Sequence, residues 1–237
     1  MILVTQLQKS FGPRRILNGF DLEVQPGAVT LLVGANGAGK TTALRLIAGL
    51  SNPDAGAIAV AGHSLARDRQ LALAHLSFLP QAPRFHPRLT VAQTTEFYAC
   101  LRGRPVASAA ISLEAWGMSE FARVPTGKLS GGLRQRLALA IFALADAPVL
   151  LLDEPGLSLD PVWRERLQQF LRAEADRGRT VLVATHLLGE WEGRANRCLL
   201  VEHGRAQGEL PPDRLREHFP LLEEECPPFG LLKKCCA

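Results

Sequence analysis

The stretch AVTLLVGANGAGKTT, Ala28 to Thr42, decides the fold. Six residues from Ala28 to Val33, mostly β-branched or aliphatic, read as a buried strand, and the glycines that follow cannot continue it. In KTTALRLIAGL the spacing of Leu44, Ile47 and Ala48 is helical, so the segment is strand, loop, helix. Gly34 to Thr41 fits GxxxxGK[ST] without departure and sits in the context that motif requires. The glycines let the backbone wrap phosphate groups, with loop and helix N–H groups pointing at anionic oxygens. Gly34, Asn36, Gly37, Gly39, Lys40, Thr41 and Thr42 are therefore candidates for binding a purine nucleotide. Lys40 is placed to reach the β- and γ-phosphates and Thr41 to offer its hydroxyl to Mg²⁺. Kinases, GTPases and ATPases all use such a loop, so the chemistry is still open.

The loop's surroundings narrow it. VLLLDEP, Val149 to Pro155, is an apolar strand ending in two carboxylates. In a buried parallel sheet that strand end lies beside the phosphate loop, where Asp153 can hold the Mg²⁺ shell and Glu154 can orient and polarise an attacking water. His186 follows the apolar strand TVLVAT and faces the same crevice, as a partner for the γ-phosphate or the water.

Apolar strands alternate with helical segments across the chain, which implies a parallel sheet covered on both faces. Strands are expected near AIAVAG, HLSFLPQ and CLLVE, and helices at PVWRERLQQFLRAEADRG, at LLGEWEGRA and, beyond Pro211, at PDRLREHF. The segment from about 83 to 145 differs: TVAQTTEFYACLRG, ASAAISLEAWGM and GGLRQRLALAIFALA all favour helix, as expected of a helical subdomain inserted into an α/β core.

At 237 residues, with 47% hydrophobic and 21% charged residues, the chain has the composition of a folded globular protein. Its formal net charge of +4 is spread along the sequence rather than gathered into the dense tract that nucleic-acid binding calls for, so no direct nucleic-acid partner is expected. The longest apolar run, Leu137 to Ala145, falls far short of the roughly 18 residues a bilayer span needs. MILVTQLQKSFG has neither a basic leader nor a small-residue cleavage site. The expectation is a cytoplasmic chain, and any membrane role must be borrowed from a partner. Five cysteines, at 100, 198, 226, 235 and 236, form no CxxC pair, and the odd count reads as reduced thiols. The terminal KKCCA reads as a tail with incidental cysteines.

A second glycine-bearing stretch, KLSGGLRQRLALA, opens a helix with Ser130, Gly131 and Gly132. A hydroxyl and close backbone approach at a helix N-terminus again suit a phosphate. The chain's own γ-phosphate is already served by Lys40, so the physical solution is that each loop serves a different molecule's nucleotide. Two chains would then face head to tail with ATP between them.

LSGGLRQR, placed between the phosphate loop and the Asp153 strand, resembles the signature of ATP-binding cassette (ABC) ATPases, and the likeness covers roughly residues 1 to 210. The resemblance implies a P-loop NTPase core with a mostly parallel sheet, an N-terminal antiparallel β-subdomain and an inserted all-helical subdomain. It further implies that Phe11 stacks on adenine, a role that residue physics alone would give to core packing instead. Gln81 would sense Mg²⁺ and water, Asp160 in SLD would cross the dimer interface, and His186 would be the switch histidine. Leu133 and Gly156 depart from the usual glutamine and threonine without removing a charged or catalytic group.

The family's partner is a transmembrane permease that docks near Gln81 and APRFHPRLTVAQ. The single cassette looks most like the small ATPases of ABC-2 exporters of multidrug, sodium or copper-maturation type. Importer cassettes for metals or haem carry nearly the same motifs, and soluble ABC ATPases acting on nucleic acid or ribosomes are the other class.

Overall fold

The computed structural model describes residues 1–186 and 191–212. Two long strands, β1 (Ile2–Phe11) and β2 (Arg14–Val24), are joined by the two-residue turn Gly12–Pro13 and pair antiparallel. After β3 (Ala28–Val33) and α1 (Lys40–Ile47) come β4 (Ala55–Val60), β5 (His63–Ser64), α2 (Arg69–Ala74) and β6 (Leu76–Leu79). Three helices then follow without a named strand: α3 (Val91–Leu101), α4 (Ala107–Ala115) and α5 (Gly131–Ala143). The chain returns through β7 (Val149–Asp153), α6 (Pro161–Asp176), β8 (Thr180–Ala184), β9 (Arg197–Glu202) and β10 (Arg205–Leu210).

Strands β2-β1-β4-β5 form an antiparallel sheet, and β10-β9-β3-β8-β7-β6 form a second sheet that is parallel except for the β10–β9 pair. The wholly apolar strands follow from burial on both faces. Leu31, Val33, Leu150, Leu152, Val181 and Val183 face a core shared with α5 and α6. Their alternates Leu32, Val149, Leu151, Leu182 and Ala184 face a second core shared with α1 and the antiparallel sheet. With a side-chain period of two, each strand divides its residues between the two cores. Helix α5 is buried over Leu137–Phe142 because the sheet covers one side and α3 and α4 the other.

Parallel strands carry their C-terminal ends to one edge of the sheet. Val33, Asp153 and Ala184, at the ends of three neighbouring strands, therefore deliver the phosphate loop, the paired carboxylates and His186 to one crevice. At the opposite end Asp146, in a left-handed turn at φ 48°, is ion-paired to Arg104 and Arg179. Those hydrogen bonds hold its carboxyl below the usual carboxylate range and tie the helical insert to the α6–β8 corner.

Some expectations change. The helix expected over LLGEWEGRA does not extend through its described part: Trp191–Arg194 form turns, and residues 187–190 lie outside the described residues. Gly193, at φ 68°, sits in a left-handed conformation that interrupts a helix. The expected helix PDRLREHF lies outside the described residues but for Pro212. Elements that the pattern did not announce are β5, α2 and β10. Strand β10, Arg-Ala-Gln-Gly-Glu-Leu, has no apolar signal and owes its conformation to pairing with β9. Cys198 on β9 is fully buried, and burial pushes its thiol up to about 12, which makes it inert.

Candidate nucleotide site

The glycines of the phosphate loop are there for close approach. A side chain on Gly34, at φ 151°, would begin 2.2 Å from the Val201 carbonyl, and one on Gly39, at φ 112°, 2.7 Å from Leu17. Gly39 is also the residue from which α1 starts, so the first N–H groups of that helix open onto the loop. A cleft of about 430 Å³ lies above it, lined by Arg14, Ile16, Asn36, Gly37, Gly39, Lys40, Thr41, Thr42, Gln81, Glu154 and His186. Nine of these are residues that the sequence nominated; Arg14 and Ile16 are not.

Lys40 is 7% exposed and donates from Nζ to the carbonyls of Gly34 (2.6 Å) and Ala35 (3.2 Å). An anionic phosphate would compete for those same protons. Burial lowers the lysine's pKa, and the charges of Glu154 and Asp153 oppose that shift. Asp153 is 2% exposed, and its Oδ1 accepts from the Thr41 hydroxyl at 3.1 Å, so the two candidate Mg²⁺ ligands are already neighbours. Burial raises its pKa, partly offset by the Thr41 hydrogen bond.

A carboxyl whose folded pKa is raised costs stability at every pH above that pKa, and the cost disappears as pH falls through it towards 3.8. Asp153→Asn keeps the acceptor for Thr41 and removes the charge. Without ligand its melting temperature at neutral pH should therefore equal or exceed wild type by a few degrees, while the extra stabilisation by Mg·ATP is lost. A thermal melt in which the empty variant is less stable and still fully protected by Mg·ATP would contradict this account of Asp153.

Glu154 follows β7 directly, 6% exposed and in a left-handed backbone conformation at φ 48°. Its N–H donates to the Ala184 carbonyl (2.9 Å), which pins the turn to the end of β8. The carboxylate accepts from His186 twice, from Nδ1 at 2.8 Å and from the backbone N–H at 3.3 Å. A carboxylate and an imidazole from adjacent strands thus form one hydrogen-bonded pair at the cleft wall, an arrangement able to orient a water and accept its proton. A strained non-glycine residue at such a point is a recurrent feature of functional sites.

The remaining nominated residues lie elsewhere. Phe11 is not part of the cleft lining; it stands 55% exposed at the β1–β2 hairpin tip, with the Lys9 ammonium 5.4 Å from its ring centre. Ser130 caps α5, its hydroxyl accepting from the Leu133 N–H at 3.3 Å, and Asp160 caps α6, accepting from the Trp163 N–H at 3.1 Å. Gly131 and Gly132 pack against Ser158, in the loop that leads to Asp160. These four residues form a second constellation that contributes nothing to the lining of the Lys40 cleft. The Gln135 side chain, buried, donates to the Pro155 carbonyl at 2.9 Å and so fastens α5 to the chain just past Glu154.

Residues 17–156 match the ABC transporter family. The chain belongs to that family. As a cassette it is the ATP-binding and ATP-hydrolysing subunit of a transporter. It is 34% identical over 216 residues to a Nod factor export ATP-binding protein I of Paraburkholderia xenovorans (strain LB400), spanning 89% of this chain and 70% of that protein. The structure of an ATP-binding subunit of an ABC transporter superposes with TM-score 0.83 at 25% identity, covering 93% of this cassette and 94% of that one. A dimeric post-hydrolysis state of the ATP-binding cassette MJ0796 bound to ADP and Pi superposes with TM-score 0.81 at 24% identity, over 90% and 99% of the two chains. Among the described residues no helix is long and apolar enough to cross a membrane.

Proposed function

We propose that this cassette, with residues 1–210 as one ATPase unit, works as a pair of copies on the cytoplasmic face of a membrane and drives export through a separate permease. The observation that carries this is the separation of the two phosphate-binding constellations. Lys40, Thr41, Glu154 and His186 share one cleft, whereas Ser130, Gly131, Gly132 and Asp160 lie outside it. A head-to-tail pair would bring the second set of one copy over the nucleotide held by the first set of the other, and the neighbour MJ0796 is described as a dimeric cassette bound to ADP and Pi.

Within each cleft Lys40 and the loop N–H groups hold the β- and γ-phosphates, and Phe11 at the hairpin tip stacks on adenine. Thr41, Asp153 and Gln81 offer the hard oxygen donors that suit Mg²⁺. When bound, Mg²⁺ neutralises charge on the phosphates. Glu154 positions the water and takes its proton, held in register by His186. Closure on ATP and reopening after hydrolysis give the two-state motion that a partner can use.

The helical insert offers exposed apolar side chains to a partner: Phe97 and Leu101 on α3 and Ile111 on α4 are 57, 68 and 69% exposed. Export is supported by the printed function of the relatives. The test is co-purification at native abundance in mild detergent with mass-spectrometric identification of the bound chains. A polytopic membrane protein, released when the exposed insert residues are made polar, is the expected result. Ribosomal or DNA-repair proteins would overturn the transporter assignment and leave the ATP site in place.

A further inference from the structure

We infer that Arg14 binds the phosphate chain of the nucleotide, as a second cation beside Lys40; this rests on the cleft being the ATP site. The β1–β2 turn is only two residues long, so Arg14 lies directly opposite Phe11 in the antiparallel register. Residues directly opposite project to the same face of the hairpin, and Ile16, two positions on, does so too. That face turns towards the phosphate loop: Arg14 and Ile16 both line the cleft. The guanidinium reaches the loop itself, with Nη2 3.7 Å from where a side chain on Gly37 would begin.

The neighbouring cations on the hairpin are already engaged. Lys9 is ion-paired to Asp54 at 2.9 Å, and Arg15 donates to the Asn18 side chain at 3.2 Å. The Arg14 side chain has neither a hydrogen bond nor an ion pair among the described residues, which leaves its donors free for a ligand in the cleft that it lines. The electrostatics of the site call for such a group. Lys40 stands against two carboxylates, Asp153 and Glu154, with Arg45 also acting on Asp153, so an anionic triphosphate gains from a further cation on the cleft wall. A guanidinium presents its N–H groups in a planar fork that suits phosphate oxygens, and it stays charged at any working pH. The hairpin thereby contributes twice to one ligand, Phe11 to the base and Arg14 to the phosphates, from positions that face each other across a single turn.

The experiment is fluorescence titration of MANT-ATP and MANT-AMP into the full chain and its Arg14→Ala and Arg14→Lys variants, at low and high salt. One lost charge-assisted hydrogen bond at a partly solvated position corresponds to about tenfold in affinity. Arg14→Ala should weaken MANT-ATP by about that factor and MANT-AMP by less than twofold. Arg14→Lys should recover part of the loss, and high salt should narrow the gap between wild type and Arg14→Ala. Equal weakening of the two nucleotides would assign Arg14 to the shape of the hairpin and overturn the inference, as would an ATP affinity within twofold of wild type. An unsubstituted chain that binds neither nucleotide would overturn the reading of the cleft, and this inference with it.

Discussion

Glu154→Gln should lower steady-state ATP turnover by about 10²–10⁴-fold, the range for removal of a positioned general base, while ATP affinity stays within a few-fold of wild type. The substitution is nearly isosteric. A glutamine oxygen can still accept from the His186 backbone N–H, and the Glu154 N–H still donates to the Ala184 carbonyl, so the strained turn after β7 is kept. What disappears is the negative charge and the capacity to take a proton from water. In the proposed site phosphate binding rests with Lys40 and the loop amides, which the change does not touch. Single-turnover kinetics separate chemistry from product release. Cleavage at a near wild-type rate by this variant would remove Glu154 from the chemical step.

Ser130→Arg should abolish turnover, by a hundredfold or more, without weakening nucleotide binding to a single chain. Ser130 is exposed, caps α5 through its hydroxyl and takes no part in the Lys40 cleft. Loss of the cap costs about 1 kcal/mol, or a few degrees in melting temperature, which a helix buried over Leu137–Phe142 can absorb. The larger consequence lies between molecules. A long side chain now stands where a second copy's phosphates require close backbone approach, so the closed pair cannot form. If Ser130→Arg hydrolysed ATP normally, one chain would contain a complete catalytic site.

The parts of this protein legible in sequence are those fixed by local chemistry. GANGAGKTT announces its loop because only glycines tolerate the contacts at Gly34 and Gly39, and VLLLDE announces a doubly buried strand because both faces of Leu150 to Leu152 meet apolar cores. The parts that were not legible depend on tertiary partners. Strand β10 is polar and exists through its register with β9; α2 buries only Ala72 and carries too little amphipathic signal in six residues. Arg14 and Ile16 look like ordinary hairpin residues until cross-strand pairing with Phe11 turns their face to the cleft. Gly12-Pro13 is a turn dipeptide, and counting across it from Phe11 reaches Arg14. Glu192 and Arg194 are helix formers, yet Trp191–Arg194 form turns, with Gly193 between them in a left-handed conformation.

In the proposed cycle two copies close on ATP, each completing the other's site. Multi-angle light scattering of Glu154→Gln, with and without Mg·ATP, tests it most directly. The account predicts a doubling of mass on adding Mg·ATP, reversal when nucleotide is removed, and no shift when Ser130→Arg is added to the same chain. A mass that stays that of one chain under saturating Mg·ATP, or a doubling that survives Ser130→Arg, would contradict it.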